Sequence, residues 1–535
     1  MKNFKKFTIG MIGASLLSFS LYSCNNDDIL DQENNTDNQY AAKGETPTEY
    51  EFFFRERREL ALKNFSEALV KSMAESMELR SLIKSEALKK FNNDTEVLIS
   101  QLAELELREG TVASKLNQHL QGTRIEEILN IIPTLTVLVP ELPKESFSAE
   151  RWDTNNELPM VAIRTTLSND NPVVNWAEGK LETGVIPSNI IPAYPILVAK
   201  INERVISNFE SDFSKSETRE FHTSKFTGIS YRFADVAYDG KLFPVKIRPI
   251  PSNVDSTIAE AYNLTNNSDA WQRDHIYYNI NTSTPNGPFN YKFKEYLGFV
   301  SPKEYNGSAQ GAYDAFADQT DPRYNGVKRD GNWNDWTDGS YELVFHFLLN
   351  DANGNGGNEI KKNISVKPSD LFQLEYDHRV ETHNVFWKRN IFTLRSIKAK
   401  KYWADLEAFS WNLENFAAKV RVKVFEKDPD QEQTITINSS SKAATNFGID
   451  IGADLFKIVK LGIKFGTSNE RNTSHNYQIK TTFASDDLGM SDIDFGEPVV
   501  TGKYTFGRFF IDIYTLNSYS TGTIDFSLTP KRVQQ

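Results

Sequence analysis

The run DANGNG, from Asp351 to Gly356, spaces oxygen-bearing side chains as a calcium loop does. Such a loop takes ligands from alternate positions and needs a glycine at the sixth, where Gly356 stands. The twelfth position holds Lys362 instead of the usual bidentate Glu. The same Asn and Gly residues are typical of a hairpin turn, which is the default expectation. If the run binds calcium, its ligands would be Asp351, Asn353, Asn355 and Glu359.

Two tryptophans, Trp333 and Trp336, stand among Asp, Asn and Gly residues in the run DGNWNDWTDGSY. Aromatic rings with such neighbours can stack on a sugar while Asp and Asn bond its hydroxyls. Buried rings can instead pin a loop onto an apolar layer, and this packing role is the default expectation. Trp333 and Trp336 are the candidate ligand-binding residues of the chain.

No run of residues predicts a catalytic centre. The stretch LEYDHRVETH places His378 and His383 five residues apart, which suits neither one helix face nor one strand face. Zinc hydrolases of the His-Glu-x-x-His type space their histidines four apart. No Gly-x-Ser-x-Gly elbow occurs in the sequence. A hydrolase without a recognisable motif stays open as an alternative, with no catalytic residue assigned.

The segment Phe447–Phe465 alternates in polarity. Its odd-numbered positions are mostly apolar and its even-numbered positions are mostly Gly, Asp and Lys, with Phe456 and Ile458 as exceptions. A half-buried strand of an ordinary sheet shows this alternation. So does a hairpin that inserts into a membrane, whose strands need about 9–11 residues with one lipid-facing side. We expect the ordinary sheet and retain a pore-forming or membrane-acting hairpin as the alternative.

The composition of the chain restricts its possible partners, and the periodicity of its apolar residues predicts its fold class. The 535 residues carry a formal net charge of −12, so we expect no nucleic-acid partner. A chain of this length exceeds one hydrophobic core. The run AKVRVKVFE alternates strictly and predicts a strand, as do many other stretches beyond Phe221. The predicted fold is α+β, predominantly β, with a small N-terminal helical region followed by antiparallel β-sandwich-like domains.

The apolar pattern divides the chain into three folded regions. Residues 49–132 are predicted to be helical, 133–380 form a β-rich middle region with room for two domains, and 381–535 form a C-terminal β domain. Asp94 is expected to cap a second helix, whose apolar residues would be Val97, Leu98, Leu102 and Leu105.

The N-terminus joins a positive segment, an apolar stretch and the single cysteine. Three lysines precede Phe7–Leu21, and the run LYSC ends at Cys24. An apolar residue three before a cysteine and a small one just before it resemble the bacterial lipobox. This resemblance implies a signal peptide over residues 1–23 and lipidation of Cys24 by diacylglycerol and a further acyl chain such as palmitate. Several acyl chains on one residue give stable membrane anchoring.

The polar residues 24–48 are predicted to form a disordered acidic tether. The acidic patch just behind Cys24 resembles the export signal of surface lipoproteins in Bacteroidota-type bacteria. The helical head with the runs PTLTVLVPE, RWDTNNELPMVA and INERV resembles uncharacterised surface lipoproteins of such bacteria, over residues 55–205. The resemblance implies an outer-membrane, lipid-anchored protein exposed at the cell surface, and it brings no assigned activity.

Taken together, these features predict a lipid-anchored cell-surface protein that binds an extracellular ligand or mediates adhesion. Its ligand would be a glycan or a protein, and its membrane contact would be the N-terminal lipid. Calcium is the cofactor that the motifs suggest. A β-hairpin pore-forming or membrane-acting protein and an extracytoplasmic hydrolase are the alternatives.

The predicted anchor can be tested in the producing cell. Metabolic labelling with a palmitate analogue should tag the protein through Cys24, because the lipid is attached at that residue. Cys24→Ser should lose both the label and the fractionation with membranes. A variant that is still labelled and still sediments with membranes would show that the lipobox assignment is wrong.

Overall fold

A computed structural model of the chain describes residues 49–209, 213, 218–241, 254–266, 270–281, 284, 287–321, 331–354, 356–383, 387–429, 432–444, 470–482, 484–506 and 511–533. The predicted signal peptide, Cys24 and the predicted tether lie outside these residues, as does the alternating segment Phe447–Phe465. Among the described helices, none combines the length and the apolar character needed to cross a membrane.

The helices of the described chain are α1 (Glu49–Glu75), α2 (Met77–Ala87), α3 (Ile99–Leu102), α4 (Val112–Asn117), α5 (Ile125–Ile131), α6 (Ser256–Thr265), α7 (Gln272–Tyr278), α8 (Gln310–Phe316), α9 (Asp335–Asp338) and α10 (Pro368–Leu371). The strands of its first half are β1 (Glu96–Leu98), β2 (Glu106–Leu107), β3 (Gly110–Thr111), β4 (Leu135–Leu138), β5 (Met160–Ile163), β6 (Asn171–Ala177), β7 (Lys180–Ile186), β8 (Ile191–Pro192), β9 (Ile196–Ile201), β10 (Val205–Ser207), β11 (Glu220–Thr223) and β12 (Ser230–Phe233).

Longer strands dominate the second half. They are β13 (Phe293–Pro302), β14 (Tyr341–Asp351), β15 (Gly357–Val366), β16 (Phe372–His383), β17 (Trp387–Ala399), β18 (Tyr402–Phe409), β19 (Phe416–Glu426), β20 (Glu432–Ala444), β21 (Glu470–Thr482), β22 (Asp486–Asp494), β23 (Val500–Phe506), β24 (Ile511–Leu516), β25 (Tyr519–Ser520) and β26 (Ile524–Arg532). The predicted α+β class with a predominance of β structure is confirmed.

The first core is built on a six-stranded sheet in the order β1-β4-β9-β5-β6-β7. Its neighbouring strands are antiparallel, except that β5 and β9 run parallel. Helix α1 belongs to the same core and buries Phe65, Leu69 and Met73 completely. Their spacing of four residues places these side chains on one face of the helix, as the apolar pattern requires.

The prediction that a helix begins after Asp94 is wrong. Residues Glu96–Leu98 form β1, which pairs with β4. The Asp94 carboxylate accepts a hydrogen bond from the Thr95 amide at 2.7 Å and from the Ser340 hydroxyl at 3.0 Å, so it caps no helix. A carboxylate before an apolar run has the local appearance of an N-cap, but pairing with the sheet and a distant partner decide its role.

Two four-stranded antiparallel sheets surround the second core. Their strand orders are β18-β13-β26-β25 and β15-β14-β19-β22. Leu297 of β13 and Val422 of β19 contribute to the same buried cluster. The rings of Phe345 and Phe526, one from each sheet, lie 5.9 Å apart in an edge-to-face arrangement. Apolar faces of antiparallel sheets are thus joined, as the alternating sequence pattern predicts.

Strand β14 is covered on both faces. Tyr341, Leu343, Phe345, Phe347 and Leu349 enter the second core. Leu348 points the other way, into a small separate cluster whose other buried members are Phe425, Ile437, Tyr477 and Ile479. Ile437 belongs to β20, and Tyr477 and Ile479 belong to β21. The two-stranded hairpin β20–β21 therefore packs on the outer face of the β15-β14-β19-β22 sheet.

Candidate functional site

The two predicted ligand-binding tryptophans lie largely inside the protein. Trp336, in α9, is 3% exposed and belongs to the first core. Trp333 is half-buried and packs against both cores. Trp336 therefore offers no open ring face to a sugar in this conformation. Its packing matches the expected structural role, in which buried rings hold a loop against an apolar layer. Glycan binding by this pair stays a prediction.

The predicted calcium loop forms the turn between β14 and β15. Asp351 Oδ1 accepts hydrogen bonds from the Asn353 amide at 2.9 Å and from the Asn353 side chain at 3.2 Å. Glu359 lies along β15, with its Oε1 2.6 Å from His346 Nδ1. Asn355 lies outside the described residues. The hairpin turn is thus formed, and the three described members of the four proposed ligands have protein partners. Calcium at this turn stays a prediction.

A buried cluster of charged side chains joins the first sheet to β14, β19 and β22. This buried charge cluster consists of Asp94, Glu96, Arg164, Lys200, Glu203, Arg204, Asp338, Glu342, Glu426, Asp428 and Asp486, all of which are buried. Charge is stable away from water only when it is paired, hydrogen-bonded or otherwise neutralised. The arrangement of the basic members therefore decides which acidic members are neutralised.

Arg164 is the centre of one half of the cluster. It follows β5 directly, and its guanidinium forms ion pairs with Glu203, Asp338 and Asp428. These carboxylates come from the loop after β9, from α9 and from the loop after β19. A planar guanidinium with several fixed donors can serve several carboxylates at once, which the ammonium group of lysine does less well.

Two further basic residues neutralise the other half. Lys200 Nζ lies 3.1 Å from Glu96 Oε1. Arg204 forms an ion pair with Glu342 through Nε, and its Nη2 lies 3.3 Å from Asp94 Oδ2. The edge strand β1 of the first sheet is thereby connected to β14 of the second core. The same contacts explain why Asp94 and Glu96 tolerate complete or nearly complete burial.

Three acidic members, Glu426, Asp428 and Asp486, form what we call the carboxylate trio. One oxygen from each lies within 4.8 Å of the corresponding oxygens of the other two. Glu426 at the end of β19 and Asp486 at the start of β22 are register partners, and Asp428 follows β19. Of the described groups, these are the residues whose geometry could hold a metal ion.

Burial raises the pKa of Glu426 well above its usual value, and the nearby Asp428 carboxylate raises it further. The pKa of Asp428 is also raised, first by burial and then by Asp338 and Asp486, while Arg164 opposes the rise. Carboxylates that share a low-dielectric site cannot all carry a negative charge without a compensating cation. Burial and mutual repulsion of the carboxylates thus favour the binding of protons or of a cation by the trio.

Sequence patterns alone did not predict the carboxylate trio. A local signal existed, because Glu426, Asp428 and Asp430 alternate at the end of a predicted strand and Asp486 stands beside a second aspartate. Acidic residues at strand ends are usually solvated, so this signal alone is weak. The decisive partner, Arg164, comes from a distant part of the chain, and only the fold brings it close.

A second candidate element, the hairpin β20–β21, begins and ends beside the trio. Its ladder runs from the pair Glu432–Thr482 to the pair Ala444–Glu470 without irregularity. Where side chains are described, odd-numbered ones face the protein and even-numbered ones face solvent, except for the buried Thr482 at the end of β21. Beyond Glu432 and Lys480, the exposed face is polar and uncharged; it consists of Thr434, Thr436, Asn438, Ser440, Asn472, Ser474, Asn476 and Gln478.

A modest set of contacts fixes the hairpin to the sheet beneath it. Its buried apolar side chains belong to the small cluster around Leu348, separate from the two large cores. The Tyr477 hydroxyl donates a hydrogen bond to Asn350 Oδ1 at 2.9 Å. Asn350 Nδ2 in turn donates to the Ser439 carbonyl at 2.9 Å. The hairpin can therefore be displaced without opening either large core.

Comparison with known proteins adds no functional assignment. No protein-family model, curated protein or solved structure was found to be significantly similar to this chain. The trio and the hairpin are accordingly interpreted from their own residues.

Stability should depend on pH through Asp335 of α9. Burial raises the pKa of Asp335 from 3.8 to about 7, and Asp338 adds to the rise, while a hydrogen bond from the Tyr313 hydroxyl opposes it. Because the folded-state pKa exceeds the unfolded one, the folded chain binds this proton more tightly. The resulting stabilisation is complete below about pH 4 and is lost as the pH rises through about 7.

Asp335→Asn should therefore flatten the pH dependence of folding. Between pH 5 and pH 8, the fall in unfolding free energy should be smaller by about 2 kcal/mol in the variant, because the amide does not ionise. Chemical denaturation at both pH values measures this difference. Asp377→Asn, at a side chain that is 46% exposed, is the control and should leave the dependence unchanged. If the unfolding free energy of Asp335→Asn falls with pH as much as that of wild type, Asp335 is not the source of the dependence.

Proposed function

We propose that the protein is lipid-anchored at the outer membrane, is exposed at the cell surface, and acts on a membrane through the hairpin β20–β21. The N-terminal resemblance to a lipobox at Cys24 supports the anchor. The register and alternating faces of the hairpin are the observation that carries the membrane function. Ligand recognition, the first expectation from the sequence, becomes the second candidate.

The described ladder ends at Ala444 and Glu470, on either side of the alternating segment. Residues 445–469 lie outside the described part of the chain, and their odd-numbered positions are mostly apolar. In the membrane-bound form that we propose, the register that pairs Ala444 with Glu470 continues. Apolar residues would then meet apolar residues on one face, in the pairs Ile449–Phe465, Ile451–Ile463, Ala453–Leu461 and Leu455–Val459.

The opposite face of the proposed extension would carry complementary charges. The same register would place Asp450 opposite Lys464 and Asp454 opposite Lys460. Facing opposite charges favour an antiparallel pair. Residues 447–455 and 459–467 would supply two strands of the length that crosses a bilayer, about 9–11 residues. One apolar face and one polar face are what a membrane-spanning hairpin that borders water requires.

Release of the hairpin is feasible because, within the described part of the chain, its apolar contacts with the body belong to one small cluster. Leaving the sheet would expose Leu348 and Phe425 and break the hydrogen bonds to Asn350. Both large cores would stay intact, since neither includes a residue of β20 or β21. The polar outer face of β20–β21 would stay in contact with water near the membrane surface.

Ligand recognition, for a glycan or a protein, is favoured by large exposed aromatic side chains. Tyr291, Tyr305 and Tyr504 are 73%, 62% and 56% exposed. Tyrosine suits recognition because its ring is apolar and its hydroxyl forms hydrogen bonds. A membrane-acting protein could use such residues to select its target. The hydrolase alternative has no assigned residue and stays a prediction.

The membrane function predicts release of a trapped dye from liposomes by the purified chain. Ile451→Asp puts a carboxylate on the proposed lipid-facing side and should abolish release, because a charge in hydrocarbon is costly. Gly452→Asp puts the same group on the opposite side and should retain release. Thermal melting of both variants checks that a loss of release is not caused by a loss of folding.

A variant within the described hairpin tests its release from the body. Tyr477→Phe removes the hydroxyl that donates to Asn350 and should weaken the attachment by about 1 kcal/mol. Dye release should then begin at a lower protein concentration than for wild type. If wild type releases no dye at any concentration, the membrane proposal fails and ligand recognition becomes the leading candidate.

A further inference from the structure

The carboxylate trio lies at the base of the hairpin β20–β21, where the chain enters and leaves it. Asp428 lies between β19 and β20, and Asp486 begins β22 shortly after β21 ends. Thr482, the last residue of β21, donates from its hydroxyl to the Asp428 carbonyl at 2.6 Å. A ligand bound by the trio would therefore hold both ends of the hairpin at once.

The buried charge cluster contains an excess of acidic side chains. Its eight carboxyl groups face three buried basic residues, Arg164, Lys200 and Arg204. Lys427 adds an amine at the edge, whose Nζ donates to the Glu203 carbonyl at 3.3 Å. The ion pairs of Arg164, Lys200 and Arg204 involve Asp428 but not Glu426. Acidic groups thus outnumber the buried basic groups of the cluster.

An unpaired oxygen within the trio points to a ligand independently of this charge excess. Asp428 is 1% exposed, and its Oδ1 pairs with Arg164. Its Oδ2 is buried and has no hydrogen-bond partner among the residues that the structure describes. A buried carboxylate oxygen without a partner bears the full penalty of lost hydration, so such atoms usually contact an ion or water.

We propose that Glu426, Asp428 and Asp486 bind a divalent metal ion of the calcium class. Calcium–oxygen distances are about 2.3–2.6 Å, so one ion can contact three oxygens that lie within 4.8 Å of one another. An all-carboxylate set favours hard cations such as calcium and magnesium over zinc, which prefers nitrogen and sulfur ligands.

The bound ion would connect β19, β22 and the entry to β20. It would neutralise the surplus charge and keep the two ends of the hairpin together. The metal site itself stands without the membrane function, whereas its effect on hairpin release rests on the function proposed above. On that basis, calcium should retard dye release by the wild-type chain.

Calcium titration of the chelator-treated, purified chain tests the site. Isothermal calorimetry should show saturable binding, and the melting temperature should rise by several degrees as calcium reaches about 1 mM. Glu426→Gln preserves the shape of the side chain and removes its charge. This variant should show no rise in melting temperature with calcium, because one charged ligand of the ion is lost.

Asp351→Asn, in the β14–β15 turn, is the matched control and should respond to calcium as wild type does. If calcium gives wild type neither a heat of binding nor a rise in melting temperature, the proposal is overturned. It is also overturned if calcium raises the melting temperature of Glu426→Gln as much as that of wild type. A response lost in Asp351→Asn but kept in Glu426→Gln would assign calcium to the turn and overturn the trio. Calcium binding that depends on Glu426 without any dye release by wild type would support the metal site and refute the membrane function.

Discussion

The ion pairs of Arg164 with Glu203, Asp338 and Asp428 are the constraint on which the arrangement of the molecule depends. Each partner comes from a different part of the chain, and all four side chains are buried. Loss of the guanidinium would leave carboxylates in a low-dielectric site, which typically costs about 3–5 kcal/mol. The position of the first sheet relative to β14 and β19 is therefore set by charge pairing as well as by apolar packing.

The two large cores and the small cluster under β20–β21 have different mechanical roles. The first and second cores bury many apolar side chains from several elements each. Among the described residues, the buried members of the small cluster are Leu348, Phe425, Ile437, Tyr477 and Ile479. Elements with few buried apolar contacts open at lower free energy than the rest of a protein. The hairpin thus combines regular local pairing with weak attachment, and the charge cluster fixes its base.

Local patterns in the sequence predict much of the fold. The strict alternation of AKVRVKVFE predicts a strand, and it forms most of β19, because a period of two places one set of side chains in a core. Asp94 shows the limit of such reasoning, since its partners Ser340 and Arg204 are distant in sequence and outweigh its local preference for capping. The same limit applies to Glu426, Asp428 and Asp486, which resemble solvated acids at strand ends until Arg164 and the sheet register are known.

The register of β20–β21 changes the order of the functional hypotheses. Alternation within one segment favours an ordinary sheet and leaves a membrane hairpin as the alternative. The described ladder ends at the pair Ala444–Glu470. In the membrane-bound form that we propose, pairing of the adjoining arms in the same register would group apolar residues on one side and opposite charges on the other. The polarity pattern of a single segment does not indicate how two segments pair with each other.

The central claim is that the buried charge cluster holds the base of the hairpin. Hydrogen exchange measured by mass spectrometry on wild type and Arg164→Lys tests it most directly, because lysine keeps the charge but cannot bridge three carboxylates. We expect faster amide exchange in peptides covering 432–444 and 470–482, with unchanged exchange in β13 and β26 of the second core. Unchanged exchange in the hairpin peptides, or an equal acceleration throughout the protein, would contradict the claim.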